Sequence, residues 1–171
     1  MGIEIERKFL VKSEAWRSQG QGTRYCQGYI AKTTDANVRV RIAGELGFLT
    51  LKGKAQHYTR PEFEYPIPVA DAREMLALWC HPHVVEKIRY RIPIGGHVWE
   101  VDEFLGDNQG LVLAEVELRD PDEAIVFPDW LGVEVSHQSQ YYNSSLAYHP
   151  YSAWTQLEKD SGSDSSGSSP F

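Results

Sequence analysis

Val85-Glu86-Lys87-Ile88-Arg89-Tyr90-Arg91-Ile92 is followed, across Gly95-Gly96, by Val98-Trp99-Glu100-Val101-Asp102-Glu103-Phe104. Side chains of a strand alternate between its two faces, and a Gly-Gly pair is a hairpin signal. The first segment therefore sets Lys87, Arg89 and Arg91 against Ile88, Tyr90 and Ile92. The second sets Glu100 and Asp102 against Trp99 and Val101. One face of this hairpin is apolar and the other is almost wholly ionised, basic on one strand and acidic on the next.

The same alternation extends outward in both directions. Strand-like segments lie at residues 4–10, 25–32, 37–42, 48–54, 62–67, 85–92, 98–104 and 113–119, with turn signals at Ala43-Gly44-Glu45 and Gly106-Asp107-Asn108. Glu4, Glu6 and Lys8 share a face, as do Arg39 and Arg41, Lys52 and Lys54, Glu62 and Glu64, and Glu115 and Glu117. Most connections are short, so the eight strands are expected to be mainly antiparallel. Residues 69–80 carry apolar side chains at helical spacing (Ala72, Met75, Leu76, Trp79), and residues 13–17 and 141–146 suit short helical turns.

Two arrangements accommodate such faces. An ordinary antiparallel sheet would show them to bulk water. A solvated face, however, is usually diluted with Ser, Thr, Asn and Gln, whereas these positions are nearly all charged and sorted by sign along each strand. A closed barrel with the charges inside explains the whole set and removes exposed sheet edges. The fold expected is thus mainly β (α+β), an eight-stranded antiparallel β-barrel tunnel with a charged interior and a few flanking helices over its apolar exterior. Unpaired buried charge is costly, so water, metal ions and a highly charged ligand are expected inside. Lys and Arg suit phosphate oxygens, and facing carboxylates suit hard divalent cations such as Mg²⁺ or Mn²⁺.

The rest of the 171-residue chain bounds this reading. With 42% hydrophobic residues it can bury one sizeable core. The net charge of −7 disfavours nucleic acid as a partner. No apolar run is long enough to span a bilayer, and the charged start lacks a signal-peptide pattern. Cys26 and Cys80 are expected as free thiols in a cytoplasmic protein. No protein partner is evident. Residues 1–158 are expected to form the folded domain, and 159–171, rich in Ser and Gly, a disordered tail. The five tryptophans are expected to be core residues, and the six histidines, scattered without metal spacing, receive no role.

The motifs also carry a resemblance. Glu4-Ile5-Glu6-Arg7-Lys8 resembles the ExExK signature of the CYTH family, the triphosphate tunnel metalloenzymes. The likeness continues through Val38-Arg39-Val40-Arg41, Leu49-Thr50-Leu51-Lys52-Gly53-Lys54, Glu62-Phe63-Glu64, Glu86-Lys87-Ile88-Arg89-Tyr90, Trp99-Glu100-Val101-Asp102 and Ala114-Glu115-Val116-Glu117. Gln27-Gly28-Tyr29 and residues 141–147 look like those of the short bacterial branch.

The resemblance implies a tunnel that hydrolyses a triphosphate with divalent metal, first of all inorganic tripolyphosphate to pyrophosphate and phosphate. It implies Glu4, Glu6 and Glu117 as core metal ligands, with Glu64, Asp102 and Glu115 completing a second metal site or orienting water. Lys8, Arg39, Arg41, Lys52, Lys54, Lys87 and Arg89 would hold phosphate. Tyr29 would be a proton acceptor or line the barrel, and Lys8 a clamp or a water-orienting group. Thiamine triphosphatase, nucleoside triphosphatase and class IV-type adenylate cyclase share the tunnel. A non-catalytic polyphosphate or nucleotide sensor would keep the bases and lose the metal ligands.

Overall fold

The structure, a computed structural model, describes residues 2–162. Nine strands are present among them: β1 (Gly2–Val11), β2 (Gly22–Lys32), β3 (Ala36–Ala43), β4 (Leu46–Gly53), β5 (Thr59–Ile67), β6 (Val84–Ile94), β7 (His97–Phe104), β8 (Val112–Glu117) and β9 (Leu131–Glu134). The order is β5-β4-β3-β2-β6-β7-β8-β1-β9, and β1 also pairs with β5. That extra pairing closes β1–β8 into the expected eight-stranded antiparallel barrel. The short β9 was not anticipated; it pairs with the second half of β1, past the point where β5 lets go.

The hairpin at the centre of the sequence reading forms as expected. Gly95 and Gly96 both adopt positive φ, at 60° and 84°, which a type I′ turn requires. Arg89 then lies opposite Asp102, and Arg91 opposite Glu100.

The apolar faces point outward into three clusters. Ile5, Phe9, Trp99, Val101 and Val116 pack with Trp16 and Trp130. Val85, Phe104 and Leu113 pack under Tyr141, Leu146 and Trp154 from the C-terminal part. Val40 packs under Ala72, Leu76 and Cys80. The last three belong to α1 (Val69–Met75) and the π-helical turn Leu76–Cys80 that continues it. Trp79 is the exception to the expected buried tryptophans: it is 60% exposed, because the wider π turn carries it away from the barrel. Covering is also incomplete over β1, β4 and β5, where Ile3, Leu51, Phe63 and Tyr65 remain exposed.

Two short helices follow, α2 (Asn143–Leu146) and α3 (Gln156–Asp160). α3 has a capping box between Thr155 and Glu158 and runs two residues past the expected boundary at 158. The remainder of the expected tail, from residue 163, lies outside the described residues. Among the described residues no helix is long and apolar enough to cross a membrane.

Gly28 on β2 shows how closely the π turn is seated. A Cβ there would lie 2.4 Å from the Cβ of Cys80. Gly28→Ala is expected to cost about 1–3 kcal/mol by overpacking and to lower Tm by roughly 2–4 °C per kcal/mol. Calorimetry checks this, and an unchanged Tm would mean the turn is free to shift.

Candidate active site

The inward faces of the eight strands form two groups of ion pairs. In the first, β6, β7, β8 and β1 cooperate. Asp102 is fully buried, and both its oxygens are used. Its Oδ2 accepts from Lys87 Nζ at 2.6 Å and Arg89 Nη2 at 2.7 Å, and its Oδ1 from Arg89 Nε at 2.6 Å. Glu115 accepts from Lys8 Nζ and, at 2.9 Å, from Arg89 Nη2. Arg89 also pairs with Glu100.

In the second group, Glu4 accepts from Lys52 Nζ at 2.7 Å and from Arg60 Nε at 2.6 Å. Lys52 is also 3.1 Å from Glu62. Glu64 Oε2 accepts from Thr50 Oγ1 at 2.8 Å and from Arg41 Nη2 at 3.0 Å, with Arg39 at 3.5 Å.

Between the groups stand Glu6 and Glu117, directly opposite each other on β1 and β8. Their environment differs from that of the other acids. Burial and the nearby Glu115 charge push the Glu6 carboxyl up to about 7, more than Lys8 offsets. Burial, with Glu4, Glu62 and Glu100 around it, also raises Glu117. Burial opposes ionisation of Glu4 too, but Lys52 and Arg60 hold it down to about 2. Glu115 stays well below the ordinary carboxylate range, since Lys8 and Arg89 outweigh its burial.

The bases respond in kind. Burial disfavours the Lys8 ammonium, yet Glu115 and Glu6 lift its pKa above the ordinary lysine value. Burial and the adjacent Arg89 push Lys87 down to about 8. Burial raises the Tyr29 phenol, more than Arg39 and its hydrogen bond from Gln27 lower it.

These side chains surround a cavity of about 80 Å³, which shares Glu6, Arg39 and Lys52 in its lining with a second of about 170 Å³. The second is lined also by Glu62, Glu64, Glu100 and Glu117. Among the described residues no three carboxylate, histidine or cysteine side chains form a ready-made metal cage. The donor set still fits a hard divalent ion. Glu6 and Glu117 offer only oxygen donors and are held as poor anions by their neighbours, which a cation between them would relieve. Mg²⁺ in particular is usually held by one or two carboxylates plus water and substrate phosphate, not by a full protein cage.

A profile of the CYTH domain matches residues 2–151. The chain belongs to the CYTH family. An inorganic triphosphatase of Acetivibrio thermocellus is 50% identical over 153 residues, covering 88% of this chain and 97% of that protein. An inorganic triphosphatase of Nitrosomonas europaea is 38% identical over 149 residues, covering 84% and 96%. A crystal structure of an inorganic triphosphatase superposes with a TM-score of 0.59 at 36% identity, covering 84% of this chain and 96% of that one. A protein from Bacillus halodurans shares the fold at 17% identity, with a TM-score of 0.57 over 71% of this chain and 84% of its own.

Within this CYTH barrel, Glu4, Glu6, Lys8, Tyr29, Arg39, Arg41, Lys52, Lys87, Arg89 and Glu115 all line the first cavity, and Glu64 and Glu117 the second. Two of the residues singled out from sequence stand elsewhere. β4 ends at Gly53, so Lys54 is exposed beyond it and is absent from the cavity wall. Asp102 is sealed behind Lys87 and Arg89, with its oxygens already occupied. Arg60, Asn143, Ser136 and His57 line the cavity and were not anticipated. Arg60 had a signal: it continues the spacing of Glu62 and Glu64 backward by one step.

Proposed function

We propose that this CYTH protein is a divalent-metal-dependent inorganic triphosphatase that converts tripolyphosphate to pyrophosphate and phosphate. The observation carrying this is the convergence of seven bases, Lys8, Arg39, Arg41, Lys52, Arg60, Lys87 and Arg89, on one space. The names of two extensive relatives point the same way.

Each base offers donors that substrate oxygens take over from its carboxylate partner. Arg89 and Lys87 are held in place by Asp102, and Lys8 by Glu115. These two acids act as positioning groups for the bases. Glu4, Glu6 and Glu117 would hold the metal, Mg²⁺ or Mn²⁺, and Glu64 steadies Arg41. When bound, the metal neutralises phosphate charge and acidifies a water. In the reaction a water oxygen forms a bond to the terminal phosphorus as the bridging P–O bond breaks. Pyrophosphate leaves with that electron pair, and the water protons end on the products or solvent.

The bases spread over the developing negative charge. Tyr29 keeps its proton, because burial raises its pKa, and donates it as a hydrogen bond instead of acting as base. Cys26 and Cys80 are both free thiols, which supports a cytoplasmic setting.

The deciding assay is phosphate release from tripolyphosphate, ATP and thiamine triphosphate, each with Mg²⁺, Mn²⁺ or a chelator. Tripolyphosphate is expected to give the highest kcat/KM, with equal phosphate and pyrophosphate, and chelation to stop turnover. Faster turnover of either organic triphosphate, or full activity in chelator, would overturn the assignment.

A further inference from the structure

Gln27 on β2 is only 1% exposed, and it is absent from the walls of both cavities. It stands opposite Arg41 of β3, two residues before Tyr29, which stands opposite Arg39. The two halves of its amide are used unequally. Nε2 donates to the Tyr29 hydroxyl oxygen at 3.2 Å. Oε1 is buried without a hydrogen-bond partner among the described residues. A buried amide oxygen left unpaired weakens the fold, and an apolar side chain of the same size would avoid the loss. Stability alone therefore gives no reason for glutamine here, and attention passes to the half that meets Tyr29.

Tyr29 is 5% exposed and lines the first cavity with Lys8, Arg39, Lys87 and Arg89. A phenol has one hydrogen to give and an oxygen that can accept. Ionised phosphate oxygens only accept. Tyr29 can thus serve a phosphate only while no protein acceptor takes its hydrogen. The nearest rival is the Gln27 amide itself, since a half turn would bring Oε1 to the hydroxyl. With Nε2 in that place the Tyr29 oxygen accepts, and its hydrogen is left for the cavity. A hydroxyl that accepts one hydrogen bond also donates the next more strongly. Gly28, which joins the two residues, is seated beneath Cys80 and fixes the backbone between them.

We propose that Gln27 is a positioning residue for triphosphate hydrolysis: its amide N–H turns the Tyr29 hydroxyl so that the phenolic hydrogen is presented to a phosphate oxygen. Gln27 acts through Tyr29 and does not touch the substrate. This rests on the triphosphatase reading and adds to it a residue behind the cavity wall.

The test compares wild type, Gln27→Met, Tyr29→Phe and the double variant as full chains with Mg²⁺ and tripolyphosphate. Methionine keeps the size and removes both the donor and the unpaired oxygen, so Tm is expected at or above that of wild type. kcat/KM should nevertheless fall about tenfold, the order of one hydrogen bond's net worth. In the Tyr29→Phe background the same substitution should change kcat/KM by less than about twofold, because the hydroxyl that Gln27 orients is already gone. Equal losses in both backgrounds, or no loss in either, would overturn the proposal. Gln27→Leu repeats the comparison if the methionine variant does not fold. Tyr29→Phe alone is a separate check, since full turnover without the hydroxyl would leave Gln27 nothing to orient. If wild type does not hydrolyse tripolyphosphate, the functional reading fails separately. The same four proteins are then compared by calorimetric affinity for tripolyphosphate, where equal values for wild type and Gln27→Met would reject the role of Gln27.

Discussion

Asp102→Ala will cost the barrel on the order of 3–5 kcal/mol, the usual loss when one partner of a buried ion pair is removed. The carboxylate is fully buried and satisfies both Lys87 and Arg89. Without it two adjacent cations face each other with only Glu115, Glu100 and Asn143 to answer them. Lys87, already lowered to about 8 by burial and Arg89, would lose its proton at neutral pH. Turnover falls with stability because both bases lose their orientation. Asp102→Asn, which keeps the shape, should lose most of the same stability. Urea unfolding of both variants measures this, and a cost below ~1 kcal/mol in each would show that the pairs are not what holds this wall.

Glu6→Gln should do the opposite to stability while also removing activity. In metal-free protein the Glu6 carboxyl is lifted to about 7 from the ordinary 4.5 by burial and Glu115. Below pH 4.5 both folded and unfolded chains carry the proton, and there is no penalty. From 4.5 to 7 the unfolded chain releases its proton and the folded chain retains it, so stability falls as pH rises. Above 7 the full penalty applies, on the order of 3 kcal/mol. Glutamine cannot ionise and escapes it. In chelator at pH 8 the variant is expected to melt roughly 5–10 °C above wild type, with little difference at pH 4.5. With Mg²⁺ its turnover should drop at least about a hundredfold. An equal or lower Tm at pH 8, or retained turnover, would remove Glu6 from the metal site. Glu4→Gln should lose stability instead, since Lys52 and Arg60 both depend on that carboxylate.

The difference between these acids was not legible in the sequence. Alternation places Glu6, Asp102 and Glu115 alike on inward faces. It does not say which carboxylate meets a base, because that depends on cross-strand register. Arg89 faces Asp102, while Glu6 faces Glu117. Alternation also failed where a strand stopped: Lys54 continues the pattern of Lys52, but the backbone leaves the sheet at Gly53. The barrel itself was readable because charge on nearly every inward position admits few other folds. Ser136 and Asn143 were not legible as cavity lining, because they come from a stretch with no strand periodicity and only tertiary contacts bring them to Lys8 and Lys87.

Closure through β1 has a practical side. Gly2 pairs with Glu62 and lies at the rim beside Glu117 and Tyr65. An affinity tag fused ahead of it would emerge beside the carboxylates Glu62, Glu64 and Glu117. A polyhistidine leader there would set imidazoles and any nickel they carry within reach of Glu62 and Glu117, so tag position becomes a variable in every assay of metal preference.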